Sequence, residues 1–485
     1  MPINGSSPGK ASDGSGSSTV RRRRFLAGAG AATAVALAGC TGGGGGDGGG
    51  GSGDGGDGGD GGGGDGDGTS GGSSGSSGGD TADSIAVAAV EGSGRLFKRL
   101  VDNYVSEETG IDVEVSLFPY ANLFEKTSSV LQTEGDAYDI VFMDDPWFPQ
   151  LATYTDPIQQ WLPSEVPRDQ FIDTTLDIAT WPAPRGPTVP SAQGLDERLR
   201  GLVVVGNTQL FAYNQALYEE VGASTPPETW DDVASAGQMI SEQVDGANGY
   251  IIRGKRGNPI NANFYGLGNS MAGDMFSDEW RYNWDEQTGV ETLDFYVNTL
   301  ASISPDGVAS FDSDRVLQGL GNGSVAQSVA WPSAASLLLD PEQADAADDI
   351  RFTVIPEGQR RAPQQGNWIA GINSAVSDAK KRAAGEVIRS FVSKEAQQRY
   401  VELGGVPFRH DTFEENIDAQ PWFSALYESL QTAKWRPRTP LWNRIAVEHG
   451  RNLNAALVGD MTPEEAMQAN NDSIEGILEG AGYYG

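Results

Sequence analysis

Residues 84–143 decide the fold, through three short runs: Ser84-Ile85-Ala86-Val87-Ala88-Ala89-Val90, Ile111-Asp112-Val113-Glu114-Val115 and Asp139-Ile140-Val141-Phe142-Met143. The first is apolar almost without interruption, as a strand covered on both faces of a parallel sheet must be. The second alternates with period two, and the third is again continuous. Between the first and second, Glu91-Gly92-Ser93-Gly94 turns the chain into a helix whose apolar positions Leu96, Phe97, Leu100, Val101, Tyr104 and Val105 recur at helical spacing. Gly110 supplies the stop. A second helix is expected over about 121–133, and strand, helix, strand, helix, strand within sixty residues is the pattern of an open, mostly parallel sheet.

Outward from this stretch, further strands are expected at 201–205, 210–213 and 351–355, with helices between them. Thr229-Trp230-Asp231-Asp232 reads as a helix cap with an acidic third residue, and Trp230 is expected to pack inside. Thr462-Pro463-Glu464-Glu465 repeats the logic. The part from Ser84 to Gly485 spans about 400 residues, too long for one ordinary core and suited to two domains.

The preceding residues are not a fold. Arg22-Arg23-Arg24-Phe25-Leu26 matches the core of a twin-arginine signal, and the small-residue apolar run 27–38 is too short to span a membrane. Leu37-Ala38-Gly39-Cys40 resembles a lipobox, so residues 1–40 are read as a signal that leaves a lipid on Cys40, the one cysteine of the chain. Residues 41–83, almost all Gly, Asp and Ser, make a tether with a root-mean-square reach of roughly 35 Å. The G-x-S-x-G match at 71–75 lies inside it, with no strand before it or helix after it, and carries no catalytic meaning.

A formal net charge of −34 argues against nucleic acid as a partner. With only eight lysines among 33 basic residues, the composition looks like a halophile's, and a halophilic archaeal source is expected. Two histidines, His410 and His449, stand without a second ligand at metal spacing, and no nucleophile-base set is apparent, so neither a metal, a cofactor nor an enzyme is expected. Paired carboxylates such as Asp144 and Asp145 leave a glycosidase as the remote alternative.

Taken in order, several motifs resemble one family. They are Thr109-Gly110-Ile111-Asp112-Val113, Tyr138-Asp139-Ile140-Val141-Phe142, Phe211-Ala212-Tyr213-Asn214, Pro227-Glu228-Thr229-Trp230-Asp231, Trp368-Ile369-Ala370-Gly371-Ile372-Asn373 and Gly405-Val406-Pro407-Phe408-Arg409. The body resembles the sugar-type extracellular solute-binding proteins of ABC importers, the maltose-binding-protein group. The resemblance implies a two-lobed α/β fold, each lobe an open, mostly parallel sheet flanked by helices, joined by three hinge crossings. Mapped by the motifs, one lobe is 84–208 plus 371–431 and the other 209–367 plus 438–485, with crossings near 206–209, 367–371 and 431–438. It further implies a monomer that captures a sugar between the lobes and delivers it to the permease subunits; a polyol, glycerol phosphate or polyamine is the alternative ligand.

A sugar offers apolar faces and hydroxyl edges, so a site needs planar aromatics and bidentate polar groups. Asp144, Asp145 and Trp147, directly after a strand, offer both, the resemblance favouring Asp145 and Trp147. Glu91 and Ser93 follow the first strand at a helix N-terminus. Trp331 and Trp368 are the other aromatic candidates. The resemblance adds Gln209 at the first crossing, Asn263 in a sugar-contacting loop and Trp442 at a stacking position; Arg409 is a further candidate, with pairing to acidic neighbours as its other reading. Asn322 and Asn471 begin glycosylation sequons.

Overall fold

In the computed structural model, residues 81–484 are described. The twin-arginine motif, Cys40 and the tether up to residue 80 lie outside the described residues. The strands are β1 (Ser84–Val90), β2 (Asp112–Phe118), β3 (Ile140–Asp144), β4 (Thr180–Trp181), β5 (Arg198–Leu199), β6 (Leu202–Val205), β7 (Leu210–Asn214), β8 (Gln327–Ala330), β9 (Ile350–Thr353) and β10 (Trp368–Ile372).

The first lobe is built on a five-stranded sheet in the order β2-β1-β3-β10-β6. β1 runs parallel to both β2 and β3, as the apolar runs require, and β10 runs antiparallel to β3 and β6. β3 and β10 are buried throughout, which is why both read as unbroken apolar runs. The helix after β1 continues from Ser93 through a π-helical stretch, Val101–Val105, to Gly110, whose φ of 70° ends it. β4 and β5 form a separate small ribbon.

The second lobe carries the three-stranded sheet β8-β7-β9. Here the expectation of a mostly parallel sheet fails, because β7 pairs antiparallel with both neighbours. The reason is topological: β7 enters this sheet directly from β6 across the hinge, with no intervening helix to reverse it. Both expected caps are present as reciprocal boxes at Thr229 and Thr462, and Trp230 is buried.

The chain leaves the first sheet at Val205 and enters the second at Leu210. It returns earlier than expected: Trp368–Ile372 is already a strand of the first sheet, so the second passage ends at residue 367. Trp368-Ile369-Ala370-Gly371-Ile372 is apolar throughout and wholly buried, as an inner strand is and a hinge is not. The passages lie side by side. The Gln209 amide donates to the Gln364 carbonyl at 3.0 Å, Gly366 to Asn207 at 2.9 Å and Gln365 to Lys434 at 2.9 Å, which makes a narrow three-strand strap between the lobes.

Candidate solute-binding cleft

Register puts several of the candidate residues at the two sheet edges that border the hinge. In the first sheet Trp368 pairs with Asp144 and with Val205, so the C-terminal ends of β3 and β6 and the start of β10 share one edge, the one from which the hinge departs. In the second sheet Leu210 pairs with Ala330, which places Trp331 at the corresponding edge. Asn248 bridges Val325 in parallel and the Ile251 amide donates to the Gln327 carbonyl at 3.2 Å, so the segment after 248 runs beside β8 and delivers Arg253 to that edge too. The strand ends of an α/β sheet are where a ligand is met.

On the first-lobe side Asp144 and Asp145 are buried. Arg436 Nη2 donates to Asp144 Oδ1 at 2.8 Å and also to Asp145 Oδ1. The Tyr120 hydroxyl donates to Asp144 Oδ2 at 2.7 Å. Burial pushes the Asp144 carboxyl up, while Arg436 and the Tyr120 hydrogen bond oppose the shift. Arg438 donates to the carbonyls of Asp145 at 2.8 Å and Ile178 at 2.7 Å. Burial first, then the like charge of Arg436, lowers its guanidinium to about 9. Asp145 Oδ2 and the Nε atoms of Arg436 and Arg438 have no hydrogen-bond partner, which leaves both donor and acceptor capacity among the buried groups.

Trp147 does not stand free as a platform. It is 2% exposed, with its ring 4.7 Å from Tyr120, 5.0 Å from Phe124 and 5.5 Å from Trp368. Trp368 is buried in the same cluster, edge-on to Tyr120 at 6.0 Å. These aromatics form the wall that holds Tyr120 and Asp144 in place.

On the second-lobe side a cavity of about 90 Å³ is lined by Arg253, Asn263, Trp331, Val329, Leu317 and Ser333, among others. Trp331 is half-buried and lies against the second passage, where a β-carbon on Gly366 would come within 2.9 Å of its ring. Asn263 accepts from the Tyr296 hydroxyl at 2.8 Å through Oδ1. Gln209 ties the hinge: its Nε2 donates to the Ala262 carbonyl and its Oε1 accepts from the Gln364 amide at 2.9 Å. Trp442 is buried edge-on to Tyr265 at 6.2 Å, and the Tyr265 hydroxyl donates to the Trp435 carbonyl at 2.8 Å, so Trp442 braces the third passage.

Glu91, exposed, and Ser93, partly exposed, follow the C-terminal end of β1. Arg409 is corrected to a structural role. It is buried, its Nε and Nη2 grip Asp411 at 2.8 and 2.6 Å, Nη1 donates to the Val392 carbonyl at 2.9 Å, and Nη2 also reaches Gln170. A buried guanidinium so engaged has little left for a ligand. Four residues of the two walls escaped the sequence reading: Tyr120, Arg253, Arg436 and Arg438. None of the four is marked by the residues next to it in the chain.

The model of the bacterial extracellular solute-binding proteins matches residues 88–398. The chain belongs to this family. Among curated proteins it is similar to the "Probable amino-acid ABC transporter periplasmic-binding protein y4oP" of Sinorhizobium fredii, 25% identical over 405 residues covering 82% of this chain and 90% of that one. It is also similar to a mannitol-binding protein of Pseudomonas aeruginosa, 22% identical over 435 residues covering 83% and 94%. Its fold is that of maltose-bound T. maritima MalE3, with a TM-score of 0.70, 20% identity and coverage of 81% of this chain and 99% of that one. The family accounts for an extracytoplasmic solute-capturing role. The expectation of a halophilic archaeal source rests on composition alone.

Proposed function

We propose that this family member captures a sugar or polyol between its lobes and delivers it to an ABC permease, working as a monomer held at the outer face of the membrane by a lipid on Cys40 after twin-arginine export. The observation that carries the ligand reading is the pair of sheet edges bordering the hinge, with Tyr120, Asp144 and Asp145 at one and Asn263 and Trp331 at the other: hydroxyl-gripping groups and aromatic surface. That one relative is named for mannitol and one structure of the same fold holds maltose accords with it. The lobes are taken as 84–208 plus 368–431 and 209–367 plus 438–485, the returning segment now starting at 368 instead of 371 because Trp368–Ile372 is a strand of the first sheet. Arg436 already pairs with both Asp144 and Asp145, which leaves less unmatched negative charge for a polyamine. The body's role is that of a binding protein and not an enzyme.

Thermal unfolding of the full-length protein against sugars, polyols, glycerol phosphates and polyamines tests the reading. A ligand present at a hundredfold its dissociation constant adds about 2.7 kcal/mol of stability. A midpoint raised only by polyamines, or by none of the sugars and polyols and their derivatives, overturns it.

A further inference from the structure

Arg253 is a cation without a partner. It forms no ion pair and donates no hydrogen bond to any described residue, and its Nε is buried and unpaired. Every other arginine of the cleft is engaged: Arg436 on Asp144 and Asp145, Arg438 on two carbonyls. The acidic groups around Arg253 act only from a distance. Asp312, whose carboxylate is paired with Lys255 at 3.2 Å, and Asp314 attract it, and the Tyr120 and Tyr296 hydroxyls lie in its field, while burial lowers its guanidinium below the ordinary value. Arg253 is half-buried, with its Nε wholly shielded from solvent and unpaired, so an anion that reached it would meet a planar, partly desolvated fork with no competing partner among the described residues.

The cavity beside it shows what kind of anion. It is mostly apolar, its polar lining beyond Arg253 being Asn263, Ser313 and Ser333, and the Asn263 Oδ1 is turned away onto the Tyr296 hydroxyl, which leaves its Nδ2 as a free donor. About 90 Å³ accommodates a planar end group and the carbon or two that carry it, not a whole sugar ring. Trp331 forms one wall. A lone guanidinium with an adjacent amide donor matches the two oxygens of a carboxylate; a phosphate, with more charge and three oxygens, calls for further cations.

We infer that the ligand is a polyhydroxy carboxylate, an aldonate or uronate, whose carboxylate enters the cavity between Arg253, Asn263 and Trp331 while its hydroxyls face Tyr120, Asp144 and Asp145. This rests on the sugar or polyol reading and narrows it. Neutral polyols lack the group that compensates Arg253, so they bind more weakly than their acids.

Full-length protein is titrated by calorimetry with gluconate, glucuronate and galacturonate, with the neutral parents glucose, galactose and sorbitol, and with glycerol 3-phosphate. At least one acid binds tighter than its neutral parent by about thirtyfold or more, and Arg253→Gln removes that difference; Arg253→Lys, which keeps the charge without the fork, restores part of it. Neutral parents binding as tightly as the acids overturn the carboxylate inference and leave the sugar or polyol reading standing. Binding of glycerol 3-phosphate alone overturns the choice of carboxylate. Binding of none of the compounds overturns both. Should Arg253→Gln fail to fold, the wild-type comparison of acid with parent decides by itself.

Discussion

Arg436 Nη2 donates to Asp144 Oδ1 at 2.8 Å, tying the third interlobe passage to the C-terminal end of β3. The two residues are separated by nearly 300 positions, and both are buried. The same nitrogen also serves Asp145, so one guanidinium is shared by two carboxylates at the edge of the cleft.

Removing that guanidinium leaves two buried carboxylates unpaired. Arg436→Met is expected to lower stability by about 3 to 5 kcal/mol, and adding Asp144→Asn and Asp145→Asn to it is expected to recover a good part of the loss. Urea unfolding of the single and triple variants checks this; a single variant within 1 kcal/mol of wild type would show that the pair contributes little.

Trp147 and Trp331 should separate in their effects. Trp147→Ala opens a void among Tyr120, Phe124 and Trp368 and is expected to cost about 3 to 5 kcal/mol of stability with no ligand present. Trp331→Ala, at a half-buried cavity wall, should weaken ligand binding by about 1 to 3 kcal/mol with a much smaller change in the melting temperature of the free protein. Equal losses of stability in the two variants would contradict the distinction.

His449 makes stability depend on acid. Its Nδ1 contacts Asn261 Oδ1 at 2.6 Å, its Nε2 is buried without a partner among Phe264, Tyr282 and Trp284, and burial lowers its pKa to about 3. The unfolded chain, with an ordinary histidine near 6.5, takes up the proton first. Stability is therefore greatest above that value and falls as pH drops from about 6.5 toward 3, by about 2 kcal/mol on reaching pH 5. His449→Gln should flatten this part of the profile relative to wild type; parallel pH profiles of the two proteins would refute the assignment.

Cys40→Ser should release the protein from membranes into the medium. Fractionation of cells expressing each form measures it, and unchanged retention would end the lipid-anchor proposal.

Local chemistry made much of this protein readable. The runs at 84–90 and 139–143 are apolar because both faces of those strands are covered, Gly110 ends a helix because its backbone turns left-handed, and Thr229 and Thr462 cap helices through hydrogen bonds that close within four residues. The two edges are another matter. Tyr120, Arg253 and Arg436 come from three distant parts of the chain, and nothing within a few residues of any of them marks it as part of a cleft. Trp147 looked like a platform because its loop sequence does not record that Tyr120, Phe124 and Trp368 close around it. Arg409 could be read as a ligand contact or as a partner of acidic neighbours, and its contacts with Asp411, Val392 and Gln170 decide for the second. Periodicity and caps depend on neighbours along the chain, so the sequence alone determined the elements and the family. The direction of β7, the state of each tryptophan and the unpaired charge of Arg253 depend on neighbours across space, and only the tertiary structure decided them.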